Sequence, residues 1–175
     1  IESVPEIIPF QPGQIIASFT SSTFDIFFLE AIMPLFLGLT VILSNDEQQR
    51  NPSKVIQMLT QYNIDILQMT PSHLRLLHLL DKSFTCLKNV QTLMVGGEVF
   101  PADLLSKLQS YANLKIYNMY GPTETTIWST ISDLTKKDNV DIGTPIENTR
   151  VYLLNEQMQK SYTEGEICIA GHGLA

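Results

Sequence analysis

The sequence predicts an α/β fold, a flavodoxin-like, doubly wound and mostly parallel sheet with helices on both faces. Near-continuous apolar runs of strand length alternate with amphipathic helical stretches, which is typical of parallel strands buried on both sides. Crossover connections between such strands are right-handed, and this favours a layer covered on two faces. After residue 131 the alternation gives way to a shorter β pattern, so a truncated C-terminal β segment is expected.

The apolar runs predict five strands, at 15–19, 40–43, 64–69, 92–95 and 114–117. Helices are predicted between them, at 25–37, 52–62, 72–80 and 101–111. Pro52 and Pro101 stand at helix starts, where the missing N–H has no intrahelical partner to lose. Two antiparallel strands, at 151–154 and 166–170, follow a polar turn. We therefore predict a flavodoxin-like subdomain over 1–131 and the start of a following β subdomain over 132–175.

Bulk composition narrows the range of partners. The 175 residues are 44% hydrophobic, which is ample for a core, and the net charge of −7 argues against nucleic acid as the main partner.

The longest apolar run, 26–43, is interrupted by Glu30, Pro34 and Gly38, so no membrane span is expected. Cys86 and Cys168 lie in apolar contexts and predict buried thiols in a reducing compartment. With no secretory signal at residues 1–6, a cytoplasmic location is expected.

The most informative stretch is 117–130, where a predicted strand runs directly into Tyr120-Gly121-Pro122-Thr123-Glu124-Thr125. In an open α/β sheet, ligands bind beyond the carboxyl ends of the strands. Gly121-Pro122 forces a sharp turn, and the residues after it are expected to begin a helix whose free N–H groups face an anion. A carboxylate beside an anion implies an intervening divalent cation, so Glu124 points to phosphate plus magnesium.

These motifs resemble those of amino-acid adenylation domains, the activating units of nonribosomal peptide synthetases within the acyl-adenylate-forming superfamily. Tyr-Gly-Pro-Thr-Glu-Thr is similar to their fifth core motif, and Phe24-Asp25 followed by Glu30 resembles the fourth. Gly96-Gly97-Glu98 resembles the adenine-side glycine turn, and 165–175 resembles the sixth motif as far as Leu174-Ala175. The resemblance covers nearly the whole chain.

The resemblance implies a pocket for the substrate side chain. Its positions in this sequence are Asp25, Ile26, Leu29, Gln68, Met94, Gly96, Met119, Ile127 and Trp128. Asp25 would pair with the substrate's α-ammonium, although its position alone favours a helix N-cap. The apolar members are, by residue type alone, core residues. Because most of the set is bulky and its pattern resembles that of glycine activators, glycine is the first choice of substrate and alanine the second.

The resemblance also implies a nucleotide site with ATP and Mg²⁺ as cofactors. Tyr120 would stack on adenine and Asn118 would hydrogen-bond its exocyclic amine, while Gly97, Glu98 and Gly121 complete the site together with Gly96. Thr123 would contact the α-phosphate and Glu124 would coordinate magnesium. These two residues are the catalytic candidates, since they stabilise charge as the substrate carboxylate attacks the α-phosphorus and pyrophosphate leaves.

Other parts of such an enzyme are expected outside the sequence. The chain lacks an initiator methionine, and its sixth motif stops before the usual Arg-Gly-Tyr, so an internal piece of a multidomain enzyme is expected. A phosphate loop should precede residue 1, and a ribose-binding aspartate, a hinge and a C-terminal lobe with a catalytic lysine should follow residue 175. The fragment alone is therefore expected to be inactive. The expected partners are a small amino acid, ATP, that lobe, and a carrier domain bearing phosphopantetheine.

Several alternatives remain open at this level. An acyl- or aryl-acid ligase of the same superfamily is disfavoured by Asp25, and a non-catalytic flavodoxin-like binding module would require vestigial motifs. His73, His78 and His172 are too scattered for a metal triad. Glu30 is expected to support the fold. The sequence leaves open the oligomeric state, the secondary metabolite or antibiotic made, and whether the parent is a hybrid with polyketide modules.

Overall fold

A computed structural model describes residues 3–175, and a seven-stranded sheet forms its centre. The strands are β1 (Ile15–Ser18), β2 (Thr40–Leu43), β3 (Ile66–Met69), β4 (Thr92–Gly96), β5 (Lys115–Tyr120), β6 (Thr130–Asp133) and β7 (Thr144–Pro145). Their order is β2-β1-β3-β4-β5-β6-β7. The first five are parallel, in the order 2-1-3-4-5 of flavodoxin-like folds, and β6 and β7 add in antiparallel sense. The predicted fold class is confirmed.

Six α-helices within the described residues flank the sheet. They are α1 (Val4–Ile7), α2 (Met33–Phe36), α3 (Asp46–Arg50), α4 (Pro52–Tyr62), α5 (Pro71–Leu80) and α6 (Ala102–Leu108). Side-chain caps start three of them. The Oδ1 of Asn45 accepts from the Gln48 N–H, the Oδ1 of Asn51 accepts from the Ser53 N–H, and the hydroxyl of Thr70 accepts from the His73 N–H. The predicted helices at 52–62 and 72–80 therefore form within one residue of their expected bounds.

The helix predicted at 25–37 forms over residues 26–36, but it is not a single α-helix. Its middle is a π-helix, Phe28–Ile32, in which the Met33 N–H donates to the Phe28 carbonyl five residues earlier, and α2 follows it. Pro34 follows immediately and has no N–H for the ordinary four-residue spacing. A wider turn next to a proline is a common local adjustment of this kind.

Two buried apolar clusters cover the two faces of the sheet. Leu93 and Val95 of β4 belong to one cluster, and Met94, between them, belongs to the other. Alternate side chains of a strand point to opposite faces, so β4 contributes to both cores at once. This two-sided burial is the reason that the strands appear in the sequence as continuous apolar runs.

The C-terminal part forms an antiparallel ribbon of β8 (Thr149–Leu154) and β9 (Glu166–Gly171). The boundary predicted between residues 131 and 132 falls inside β6, which stays in the main sheet together with β7. Of the two cysteines expected to be buried, Cys86 is buried, whereas Cys168 in β9 is only half-buried. Across residues 3–175, no helix is both long and apolar enough to cross a membrane.

Candidate active site

The candidate site lies beyond the carboxyl ends of β3, β4 and β5, where two cavities open on either side of Gly97. The first has a volume of about 460 Å³ and the second of about 430 Å³. Gly97 lines both, and its φ of +80° is a conformation that glycine adopts without steric cost. Both volumes fall in the range of small-molecule binding sites, which is about 300–1,000 Å³.

The first cavity collects the residues predicted to bind the nucleotide. Its lining comprises Gly97, Glu98, Val99, Phe100, Asn118, Met119, Tyr120, Gly121, Pro122, Val140, Asp141 and Ile142. Five of the six predicted cofactor-binding residues are in this set, and Thr123 lies outside it. The segment 140–142, which no motif indicated, forms a wall because the β6–β7 hairpin brings it back beside β5.

Asn118 is buried and its side chain is oriented by the protein. Its Nδ2 donates to the backbone carbonyl of Asp141 over 2.7 Å. Among residues 3–175 its Oδ1 has no protein donor, so the free acceptor is available to a ligand in the cavity. Lys137 bonds the Asp141 carboxylate at 2.8 Å and is the main reason that the pKa of Asp141 is lowered. The segment that orients the amide is thus itself fixed.

Glu98 is oriented toward a helix. Its carboxylate accepts from the backbone N–H of Ser72 at 3.1 Å and from the Ser72 hydroxyl at 2.6 Å. Ser72 lies in the first turn of α5, where backbone N–H groups lack intrahelical acceptors and negative charge is favourable. Glu98 therefore ties the glycine turn after β4 to α5, while one side of its chain borders the first cavity.

The prediction that a helix begins after Pro122 is wrong. The chain makes only a single 3₁₀ turn, Thr123–Thr125, because the next two residues, Thr126 and Ile127, take positive φ values of 61° and 68°. Gly121 permits this tight return, since a Cβ there would stand 2.7 Å from the Ile127 carbonyl oxygen. An anion site here therefore lacks the N-terminus of a true helix.

Thr123 and Glu124 are both exposed on that turn. No group of three or more His, Cys, Asp or Glu side chains within the described residues could hold a metal ion. The carboxylate of Glu124 can supply one ligand. This fits magnesium, which keeps several waters and is commonly held by one or two carboxylates plus substrate phosphates.

On the substrate side, most of the predicted pocket residues converge. One buried cluster contains Leu29, Met94, Met119, Ile127 and Trp128, with Ile26 packed against it. The Trp128 ring lies over Gly96, where a Cβ would come within 2.8 Å of its Cζ3 atom. The position directly over Gly96 is therefore filled by the indole ring, while the two cavities on either side of Gly97 remain open.

Asp25 lies at the edge of this cluster and is half-buried. Its Oδ2 accepts a hydrogen bond of 3.2 Å from the backbone N–H of Ile127, in the turn after β5. The carboxylate thus bonds a distant segment, and the described contacts give it no helix-capping bond. The bond brings the fourth-motif aspartate and the fifth-motif turn together.

The second cavity includes two predicted pocket residues and several that the motifs did not indicate. Its lining comprises Phe19, Thr20, Ser21, Phe24, Ile26, Gln49, Val55, Gln68, Met69, Thr70, His73 and Gly97. Gln68 is buried, and its Oε1 has no partner among the described residues. His73 is exposed, with Nδ1 3.2 Å from the Thr70 hydroxyl. Thr70 was detectable from sequence as the cap residue between β3 and Pro71.

Glu30 fixes one wall of the second cavity. It is fully buried, and it accepts hydrogen bonds from the N–H groups of Phe19 and Thr20, both at 2.9 Å, and from the Thr20 hydroxyl at 2.7 Å. Burial raises the pKa of its carboxyl to about 7, against the opposing effect of these hydrogen bonds. Its observed contacts are with the loop after β1.

Together, the strand-end crevice, the oriented amide and the glycine turn form a candidate ligand site in a flavodoxin-like α/β protein. Comparison with known proteins refines that class. Residues 2–175 match the family described as AMP-binding enzyme, and the chain belongs to that family.

Its curated relatives include large peptide synthetases. The chain is 39% identical over 160 residues to a dimodular nonribosomal peptide synthase of Bacillus subtilis (strain 168), covering 89% of this chain and 7% of the relative. It is 35% identical over 160 residues to tyrocidine synthase 3 of Brevibacillus parabrevis, covering 89% of this chain and 2% of the relative. The chain thus spans only a small part of the relatives that it matches.

Solved structures agree. A four-domain nonribosomal peptide synthetase, solved bound to AMP and glycine, matches with a TM-score of 0.87 and 30% identity, covering 99% of this chain and 13% of that one. A synthetase with adenylation and carrier (PCP) domains, bound to a vinylsulfonamide inhibitor, matches with a TM-score of 0.83 and 28% identity, covering 95% of this chain and 30% of that one.

Proposed function

We propose that this chain is the substrate-selecting part of an adenylation domain in a nonribosomal peptide synthetase. The parent enzyme activates a small amino acid, glycine first and alanine second, as an aminoacyl-AMP formed from ATP. A phosphopantetheine carrier domain then accepts the aminoacyl group. The observation that carries the proposal is the pairing of Asp25 with the turn that places Trp128 over Gly96.

The charge of Asp25 supports an amino acid as substrate. A protonated amine that leaves water for a partly apolar crevice needs a partner charge, and the half-buried carboxylate of Asp25 can provide it. Its Oδ2 is engaged by the Ile127 N–H, which leaves Oδ1 for the amine. An acyl- or aryl-acid ligase, whose substrate has no amine, would have no use for this acid.

The protein side chains packed around Gly96 support a substrate with a very small side chain. The indole of Trp128 and the side chains of Met94 and Met119 occupy the interior beside Gly96. Forcing extra methylene groups into the packed position over Gly96 costs about 1–3 kcal/mol, so a larger amino acid is disfavoured there. Glycine, which has no side chain, meets no such cost.

The nucleotide would occupy the first cavity. The Oδ1 of Asn118 is placed to accept from the exocyclic amine of adenine, and Tyr120 offers an aromatic face for stacking. Magnesium, when held at Glu124 with the phosphates, would neutralise their charge. Thr123 would donate to the α-phosphate as the amino-acid carboxylate attacks phosphorus and pyrophosphate departs. The relatives named above, one of them solved with AMP and glycine, support this assignment.

The test is amino-acid-dependent exchange of pyrophosphate into ATP by the intact synthetase that contains this chain. Exchange with glycine should exceed exchange with alanine, and exchange with leucine or propionate should be at background. Asp25→Ala should abolish exchange, whereas Asp103→Asn on the exposed surface of α6 should leave it unchanged. Exchange that persists in the Asp25→Ala variant, or that is driven by propionate, would favour an acid ligase. Failure to bind AMP would favour a non-catalytic module.

A further inference from the structure

Two adjacent residues in the turn after β5 have left-handed backbone conformations. Thr126 and Ile127 have φ values of 61° and 68°. Both are β-branched, and such residues rarely adopt positive φ because Cβ crowds the backbone. A conformation of this kind persists only where surrounding contacts hold it.

The contacts that hold this turn fall into two groups. Within the turn, the Thr126 N–H donates to the Thr123 carbonyl at 3.1 Å and the Trp128 N–H donates to the Thr126 carbonyl at 2.9 Å. From outside, the Thr126 hydroxyl donates to the Gly173 carbonyl at 2.7 Å, and Asp25 accepts from Ile127. Among the hydrogen bonds of residues 3–175, the Asp25 bond is the one that joins the turn to the segment leading into the π-helix.

The turn decides where two buried side chains go. Ile127 is 4% exposed and Trp128 is 3% exposed, and both pack in the cluster that covers Gly96. A change of φ at Ile127 would swing the following indole away from Gly96. The backbone N–H bonded by Asp25 therefore lies one residue before the ring that fills the pocket.

We infer that Asp25 is also a positioning residue, whose carboxylate holds the left-handed Thr126–Ile127 pair and thereby keeps Trp128 over Gly96 before any substrate arrives. This role needs only an acceptor oxygen at Asp25, whereas pairing with an ammonium group needs its negative charge. The need for a negative charge rests on the proposed function, whereas the need for an acceptor oxygen does not. Loss of the Asp25 acceptor oxygen would therefore release Trp128 from its position over Gly96, in addition to removing the group that pairs with the substrate amine.

Trp128 is the sole tryptophan of the chain, so its fluorescence reports on the turn directly. In ligand-free protein, Asp25→Ala should shift the emission to longer wavelength and raise acrylamide quenching by roughly twofold or more, as local opening exposes a buried ring. Asp25→Asn keeps an acceptor for the Ile127 N–H and should retain wild-type emission. Asp103→Asn, which removes an exposed charge on α6, is the matched control and should also match wild type.

An Asp25→Ala protein with wild-type emission and quenching would overturn the inference. So would an Asp25→Asn protein as altered as Asp25→Ala, since the charge and not the bond would then matter. If circular dichroism shows that the Asp25→Ala protein does not fold, hydrogen exchange of the Ile127 amide tests the bond to Asp25 instead. Protection in the wild-type and Asp25→Asn proteins supports the bond, and rapid exchange in the wild type refutes it.

A second variant tests the backbone conformation. Asparagine tolerates left-handed φ better than threonine, so Thr126→Asn in the Asp25→Ala background should return quenching at least halfway to the wild-type value. If quenching does not recover, Asp25 does not hold the left-handed conformation of this turn.

Pyrophosphate exchange separates this inference from the proposed function. Asp25→Asn supports both roles if the 175-residue chain keeps native fluorescence while the intact synthetase loses glycine-dependent exchange. Altered fluorescence of the Asp25→Ala chain together with native exchange by the Asp25→Ala synthetase would sink only the amine role.

Discussion

The ring of Trp128 occupies the space that a side chain at position 96 would need. A Cβ added to Gly96 would stand 2.8 Å from Cζ3 of Trp128 and 2.7 Å from the carbonyl oxygen of Met119. Neither neighbour can retreat easily, because Trp128 is 3% exposed and the Met119 carbonyl belongs to β5. Glycine at the end of β4 and tryptophan after β5 are therefore mutually dependent.

Gly96→Ala should destabilise the chain by about 1–3 kcal/mol, since the added methyl overpacks a closed site. Urea denaturation followed by circular dichroism measures the change. Gly13→Ala is the control, because position 13 has open space but a φ of +89° and so carries only the backbone cost, about 1 kcal/mol. A Gly96→Ala protein as stable as wild type would show that Trp128 does not pack as described.

Glu30 should make stability depend on pH near neutrality. Burial raises the pKa of its carboxyl from 4.5 to about 7, so the folded chain holds this proton more tightly than the unfolded chain does. The resulting stabilisation is fully present below pH 4.5 and is lost as pH rises through about 7. The whole shift corresponds to an effect on the order of 3 kcal/mol.

Glu30→Gln mimics the protonated acid and should remove this dependence. Its amide oxygen can accept from the Phe19 and Thr20 N–H groups, and its NH₂ can donate to the Thr20 hydroxyl. The free energy of unfolding, measured in urea from pH 5 to 8, should therefore shift in favour of the variant as pH rises. Glu30→Ala, which leaves buried donors unpaired, should be less stable than wild type throughout. A pH-independent difference between wild type and Glu30→Gln would rule out the raised pKa.

Asn118→Ala should weaken AMP binding about tenfold, because a lost buried hydrogen bond is worth about 1–1.5 kcal/mol. Isothermal titration of the ligand-free chain with AMP measures the effect. Asp138→Asn, exposed and outside the first cavity, is the control. Equal affinity in wild type and Asn118→Ala would mean that the amide does not contact the base.

Much of the fold could be predicted, because burial on both faces leaves a local record in the sequence. The strands at 40–43 and 92–96 and the helix at 52–62 formed where continuous apolar runs and Asn51-Pro52 indicated them. The π-helix at 28–32 and the 3₁₀ turn at 123–125 were missed. Each depends on whether the backbone forms hydrogen bonds at three-, four- or five-residue spacing beside a proline or a left-handed residue. Tertiary contacts determine that spacing.

The site was only partly predictable. The motif residues after β4 and β5 were found because parallel strands end at one edge of a sheet. The Asp141 carbonyl that orients Asn118 was not, since it arrives through the antiparallel return of β6 and β7. Phe19 and Thr20 were missed as cavity walls because their position depends on a buried carboxylate eleven and ten residues away.

The sequence by itself determined the parallel α/β layer, the strand-end location of the ligand crevice and the residue types around it. These follow from hydrophobic periodicity and from short motifs, which are local. Only the tertiary structure decided that Asp25 bonds Ile127, 102 positions away, and that Trp128 lies against Gly96. Such pairings are set by how separate segments pack against one another, and the spacing of residues along a chain does not encode them locally.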